Sequence, residues 1–227
     1  MLRPEFSDPR LSDLPAVGTS LEGSPGLGER ASQPFYQARL ALSHPLNSSK
    51  ATVGFGGHYG RERIGTARTL DSWAFAVDYA VPVMRRVTWR GEAFAGSNLI
   101  PFQGGVLQGV ATLQPVATAP PTQFNRIGAG GGWTELIIRA TSDNRNVFYA
   151  GAGEDDPRDR HLLPGTPRSK NEFVWASFFH KLNDNVTIAP EWSNWQFITR
   201  TFIGTTLGPR ATTGRANVFN IAVAYQF

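Results

Sequence analysis

From Phe35 onward the chain is built of segments of about ten residues in which large apolar side chains alternate with small or polar ones. Only an extended strand turns successive side chains to opposite faces, so this period of two commits the chain to β structure with two chemically different surfaces. In Trp73 to Val81, one face carries Trp73, Phe75, Val77, Tyr79 and Val81, and the other Ala74, Ala76, Asp78 and Ala80. The last segment repeats this, with Asn217, Phe219, Ile221, Val223, Tyr225 and Phe227 opposed to Val218, Asn220, Ala222, Ala224 and Gln226. Ala51 to Gly60 sets Val53, Phe55 and Tyr59 against Thr52, Gly54, Gly56, His58 and Gly60, and Tyr36 to Ser43 sets Leu40 and Leu42 against Arg39 and Ser43. In Thr134 to Ala140, Leu136 and Ile138 face away from Glu135, Ile137 and Arg139.

Val87 to Gly96, Asn146 to Gly153 and Phe173 to Lys181 read as further strands, with faces that Phe94, Phe148 and Phe178 leave open. Val186, Ile188, Pro190 and Trp192 share a face, while Trp195 and Phe197 have the opposite parity. That break in phase implies a bulge or a strand that has already left the apolar layer, the second being simpler. Pro190 counts against a strand, because it removes a ladder hydrogen bond. The total is about nine strands, each long enough to cross a bilayer when tilted.

Average hydropathy does not speak against a membrane setting. The mean hydropathy is −0.25, and no apolar run approaches the roughly 18 residues of a membrane helix. Barrel strands, however, alternate lipid-facing and lumen-facing residues, so their averages are unremarkable. The 227 residues include no cysteine, which excludes a disulfide framework and a thiolate metal site. The formal net charge of +4 comes mostly from arginines scattered without a basic run, which argues against nucleic acid as a partner. Met1-Leu2-Arg3-Pro4 opens no apolar leader.

Connections alternate in length. Short ones fall at His44 to Ser49, Pro82 to Arg86, Asp143 to Arg145 and Leu182 to Asn185; long ones at Arg61 to Asp71, Leu99 to Gly131, Glu154 to Lys170 and Phe202 to Arg215. Outer-membrane barrels have short periplasmic turns and long extracellular loops. Residues 1–34, rich in proline, then form an extracellular loop or irregular segment, and residues 35–227 the barrel strands. Single-chain bacterial barrels have even strand numbers, so an odd count starting from outside carries the expectation of strands missing upstream. The fold class expected is all-β, an antiparallel transmembrane β-barrel.

The stretch Phe219-Asn220-Ile221-Ala222-Val223-Ala224-Tyr225-Gln226-Phe227 resembles the C-terminal signal of Gram-negative outer-membrane proteins, in which alternate positions are hydrophobic and the last is Phe. The resemblance implies that Phe219, Ile221, Val223, Tyr225 and Phe227 are recognised by the barrel-assembly machinery. It places the chain in the bacterial outer membrane, against lipid and lipopolysaccharide. The architecture from Phe35 onward is similar to porin-like barrels.

On this reading Trp73, Phe75, Tyr79 and Trp192 form a lipid-facing girdle, and Arg39, Asp78, Arg90, Glu92, Glu135, Arg139 and Glu191 line the lumen. These charges of both signs either set up a transverse field for polar solutes or simply pair across neighbouring strands. The Leu99 to Gly131 loop is long and apolar, with Arg126 its only charge. It folds into the lumen as a constriction, or else packs on neighbouring loops or in a homotrimer contact. Glu154, Asp155, Asp156 and Asp159, interleaved with Arg158 and Arg160, either hold a divalent cation or lipopolysaccharide phosphates, or form a solvated charged loop. His44, His58, His161 and His180 have no metal-ligand spacing, and Gly54, Gly56 and Gly60 complete no dinucleotide fingerprint. No metal, cofactor or catalytic set is expected.

The function expected is a porin-like channel for passive diffusion of small polar solutes. A non-channel barrel, serving as structural anchor or adhesin, is the alternative. A soluble β-sandwich that binds carbohydrate through exposed Trp and Tyr is the second.

Overall fold

The structure is a computed structural model that describes residues 5–7, 31–46, 49–64, 68–113 and 123–226. Alternation becomes strands wherever it was read: β2 (Phe35–Leu46), β3 (Ser49–Ile64), β4 (Arg68–Met84), β5 (Val87–Ser97), β8 (Gly128–Arg139), β9 (Asn146–Pro157), β10 (Arg168–Lys181), β11 (Val186–Ile203) and β12 (Thr206–Tyr225). With the short β1 (Glu5–Ser7) they form one 10-stranded sheet in the order β1-β2-β3-β4-β5-β8-β9-β10-β11-β12. Every neighbouring pair is antiparallel. Between β5 and β8, β6 (Val110–Leu113) and β7 (Gln123–Arg126) pair as a separate ribbon. Among the described residues β1 pairs only with β2 and β12 only with β11, so the sheet is not closed.

Directly opposed residues share a face, so the registers assign faces from strand to strand. Asp78↔Glu92, Glu92↔Trp133, Trp133↔Gly153, Gly153↔Phe173 and Phe173↔Trp195 trace one row across β4 to β11. This face is concave. A single cavity touches Gln37 of β2 and Phe173 of β10, strands that would lie roughly 29 Å apart in a flat sheet spaced at about 4.8 Å. The convex face carries Trp73, Phe75, Trp192, Phe219 and Ile221, large apolar side chains left exposed. The fold does bury a small cluster of Ala111, Ile127, Leu162 and Leu163, but it lies under the long connections and not between sheet layers.

Two expectations change. Within residues 1–34, Glu5–Ser7 is a strand paired with Phe35 to Gln37 and not loop; residues 8–30 lie outside the described residues. The connections expected to be long at 61–71 and 202–215 are mostly strand, β3 and β4 running out to Ile64 and Arg68, and β11 and β12 turning at Gly204, φ 62°. Past Tyr59 and Trp73 the pairing continues through polar contacts such as Arg61 with Asp71 at 3.3 Å, which no apolar alternation announces.

Trp195 and Phe197 need no bulge before them. The β11–β12 ladder runs unshifted from Val186 to Phe197, and both residues belong to the concave face. Pro190 leaves its mark on one side only: the β10 ladder passes from Ser177↔Glu191 to His180↔Ile188, while the β12 ladder continues through Pro190↔Ile221. The missing N–H is therefore confined to one edge of one strand.

Glycines let concave side chains cross a neighbouring strand. A Cβ at Gly60 would overlap the ring of buried Phe35, whereas one at Gly56 would meet nothing nearer than 3.8 Å. Gly60→Ala is expected to lower stability by about 1–3 kcal/mol through overpacking, and Gly56→Ala by no more than about 0.5 kcal/mol. Urea titration in detergent followed by tryptophan fluorescence measures both, and equal midpoints for the two variants contradict this packing.

Candidate functional site

All seven charges assigned to the lumen share the concave face. Arg39 of β2 reaches across Gly54 of β3 to Asp78 of β4, donating from Nε to Oδ2 at 2.9 Å and from Nη2 to Oδ1 at 2.5 Å. A side chain at Gly54 would occupy the place of this bidentate bridge. Glu92 lies opposite Asp78 in register. Arg90 pairs with Glu135 directly across β5 and β8, its guanidinium 5.8 Å from the Trp133 ring centre. Arg139 donates to the Thr88 hydroxyl at 3.1 Å. The face thus sets two neutralised ion pairs beside further charged groups, Glu92, Glu191 and Arg139.

Sequence reasoning did not assign the aromatic side chains of the same face. Phe173 stacks on Trp195 at 4.6 Å and on Trp175 at 5.4 Å, and Trp175 lies 6.5 Å from Trp133 at 55°. Gly151 and Gly153 of β9 make room, since a Cβ at either would strike Trp175 or Phe173. The signal was present in the odd parity of Trp195 and Phe197. Of the faces left open, Phe94 is concave, lying opposite Ala76 and Gly131, while Phe148 and Phe178 are convex and stack at 4.5 Å.

The segment from Leu99 to Gly109 folds over the concave face near the end with the long connections. Phe102 stacks on His58 of β3 at 4.0 Å. Three residues on, the N–H groups of Gly105 and Val106 donate to the two oxygens of Asp155 in β9, at 3.1 and 2.7 Å. Gln108 pairs with the Arg168 backbone through both ends of its amide, and Arg168 Nη1 donates to the Val106 carbonyl at 3.0 Å. Val106 and Leu107 hold φ of 50° and 58°, a strained region for a β-branched residue that persists only where its surroundings over-determine it. Residues 114–122 of the connection lie outside the described residues.

The acidic run at 154–159 is divided between the faces and engaged by cations of this chain. Lys170 contacts Glu154 at 2.8 Å and Glu172 at 2.9 Å; Arg210 contacts Asp156 and Asp159, each at 3.0 Å; Arg200 pairs with Asp159. Burial pushes the Asp159 carboxyl up, but hydrogen bonds from Arg200 and Ser169 and the charge of Arg210 outweigh it, leaving the group below its usual range. Among the described residues no three metal-ligating side chains converge. Trp73, Phe75, Tyr79 and Trp192 are all convex, with Tyr79 Oη hydrogen-bonded to Thr134 Oγ1 at 2.8 Å. Phe219, Ile221, Val223 and Tyr225 line the convex side of β12; Phe227 lies outside the described residues. Comparison with protein-family models, with curated proteins and with solved structures gave no match.

His161 anchors the connection between β9 and β10, its Nδ1 accepting the Gly128 N–H at 2.9 Å. Burial, then the charges of Arg160, Arg158 and Arg126, hold its pKa below the ordinary value. A base depressed in the folded state contributes stability that is complete above about pH 6.5 and declines as pH falls below it. Amide exchange at Gly128, corrected for intrinsic rates, is therefore expected to speed up between pH 7.5 and 5. His161→Gln is expected to flatten that dependence, and an unchanged slope in the variant rules out this anchor.

Proposed function

We propose that the chain spans the bacterial outer membrane as a porin-like barrel and mediates passive diffusion of small polar solutes. The observation that carries this is the two-sidedness of one sheet. Its convex face is apolar and exposed from Tyr59 and Trp73 to Trp89 and from Trp192 to Tyr225, while the concave face holds the paired ions. Exposed apolar surface of this extent marks a membrane or partner interface. A layer of alternating strands bordered by aromatic residues is how a barrel meets hydrocarbon. Asn194, Gln196 and Asn217 take over the convex positions just past Trp192, where the headgroup region would begin. The described residues offer no second large sheet against which the Trp and Phe rows could pack, as a soluble sandwich requires.

In this setting Arg39, Asp78, Arg90, Glu92, Glu135, Arg139 and Glu191 line an aqueous pore, and Trp73, Phe75, Tyr79 and Trp192 meet lipid and lipopolysaccharide. Phe219, Ile221, Val223, Tyr225 and Phe227 serve the barrel-assembly machinery. The segment from Leu99 to Gly109, latched by Asp155, forms the constriction.

Planar-bilayer recording of the full-length protein tests this reading, with stable ohmic steps expected. Asp155→Asn replaces one acceptor with a donor opposite a backbone N–H, a loss of about 1–3 kcal/mol in the latch. The variant is expected to show larger or noisier conductance, and deletion of Gln103 to Pro120 a larger steady one. Absence of conductance and of liposome swelling turns the reading toward an anchor or adhesin, and unchanged conductance in both variants removes the constriction.

A further inference from the structure

The concave face and the latched segment together enclose a cavity of about 730 Å³, a size that suits a small organic ligand of one or two rings. Its apolar lining is largely aromatic and comes from two parts of the fold. Trp133 and Phe173 come from the sheet, and Phe102, stacked on His58, comes from the segment. Phe173 is also the cavity end of the stacked series that continues to Trp195 and Trp175.

The rim between these walls is polar and mixed. Gln37 and Gln103 bring amides that both donate and accept, Arg39 brings donors, and Glu92 brings acceptors. Arg39 is already neutralised by Asp78, and Arg90 by Glu135. A carboxylate or phosphate ligand would find no uncompensated cation among these groups and would face Glu92. A plain aromatic hydrocarbon would cover the amides and the carboxylate without offering them partners, and polar groups desolvated in that way disfavour a ligand. The small uncharged group that both donates and accepts at a single atom is the hydroxyl. The body that suits an aromatic lining is a ring with apolar C–H faces.

We infer that this cavity is a binding site for a neutral carbohydrate of one or two pyranose units, held between Trp133 and Phe173 on one side and Phe102 on the other. The inference rests on the channel reading for its biological sense, because it names the solute class that the constriction selects. The contacts that define the site are independent of conductance.

Two measurements on the full-length protein in detergent and in bilayers keep the questions apart. Maltose, cellobiose, lactose and sucrose at millimolar concentration serve as probes, with phenol and glutamate as the aromatic and anionic comparisons. At least one disaccharide is expected to change the intrinsic tryptophan fluorescence saturably and to reduce single-channel current reversibly, with a common half-saturating concentration. Phe173→Ala is expected to raise that concentration at least fivefold and Phe173→Tyr to restore it. Trp73→Ala, on the convex face, is expected to leave it unchanged. Heat-modifiable gel migration confirms that each variant is folded.

Open channels with neither block nor fluorescence change for any of the four sugars overturn the site and leave the channel reading standing. Phenol or glutamate binding more tightly than every sugar also overturns it. A saturable sugar response that Phe173→Ala abolishes, in a protein that conducts nothing, supports the site and refutes the channel.

Discussion

Backbone pairing is the constraint on which the rest of this structure depends. Each strand hands its N–H and C=O groups to its neighbours, which frees the side chains to suit two different surroundings. In the proposed lipid setting an unpaired group costs several kcal/mol, and the distribution of irregularities follows that cost. The register shifts fall at Pro82/Met84, Arg168/Lys170 and Arg200/Phe202, near strand ends, and at Phe197/Ile198, past the polar Asn194 and Gln196. Between them the ladders run without a shift, and the one interior flaw, at Pro190, interrupts a single ladder.

Given continuous ladders, the concave face has to be furnished by side-chain size. Gly54 admits the Arg39–Asp78 bridge over β3, and Gly151 and Gly153 admit the aromatic stack over β9. The Arg39–Asp78 pair contributes little to stability, since the Arg39 side chain is half exposed and such pairs are worth about 0–1 kcal/mol. The consequence of the ion pairs is electrostatic: by cancelling one another they leave the face polar but nearly neutral. In the proposed channel, that property would determine which solutes the face accepts.

Faces were legible in the sequence and ends were not, for a physical reason. A period of two is a direct record of which side chains share a surface, and Trp73 with Phe75, Arg39 with Asp78 and Leu136 with Ile138 do share the faces that alternation gives them. Strand ends past Tyr59 and Trp192 lack that record, because both faces there are polar, and β3, β4, β11 and β12 run further than alternation shows. Trp195 and Phe197 read as a break in phase only if every aromatic residue of the strand is taken to face outward. Their parity placed them on the concave face, where the structure has them. The latch through Asp155 left no trace at all, because it joins a carboxylate to backbone N–H groups in a conformation that no side-chain pattern encodes.

That latch explains why the cavity exists. Backbone strain of the kind held at Val106 and Leu107 costs on the order of 1–3 kcal/mol per residue, so the segment from Leu99 to Gly109 does not rest in place by its own preference. It is held by Asp155, by the paired amide of Gln108 and by Arg168, and those contacts carry Phe102 to His58 on the far wall. One wall of the cavity belongs to this strained segment and the other to the rigid sheet. Loss of the anchors would remove the Phe102 wall while leaving Trp133 and Phe173 in register. In the proposed channel, selection by the site and narrowing of the passage would therefore be two consequences of the same few hydrogen bonds, and a change that relaxes one would relax the other.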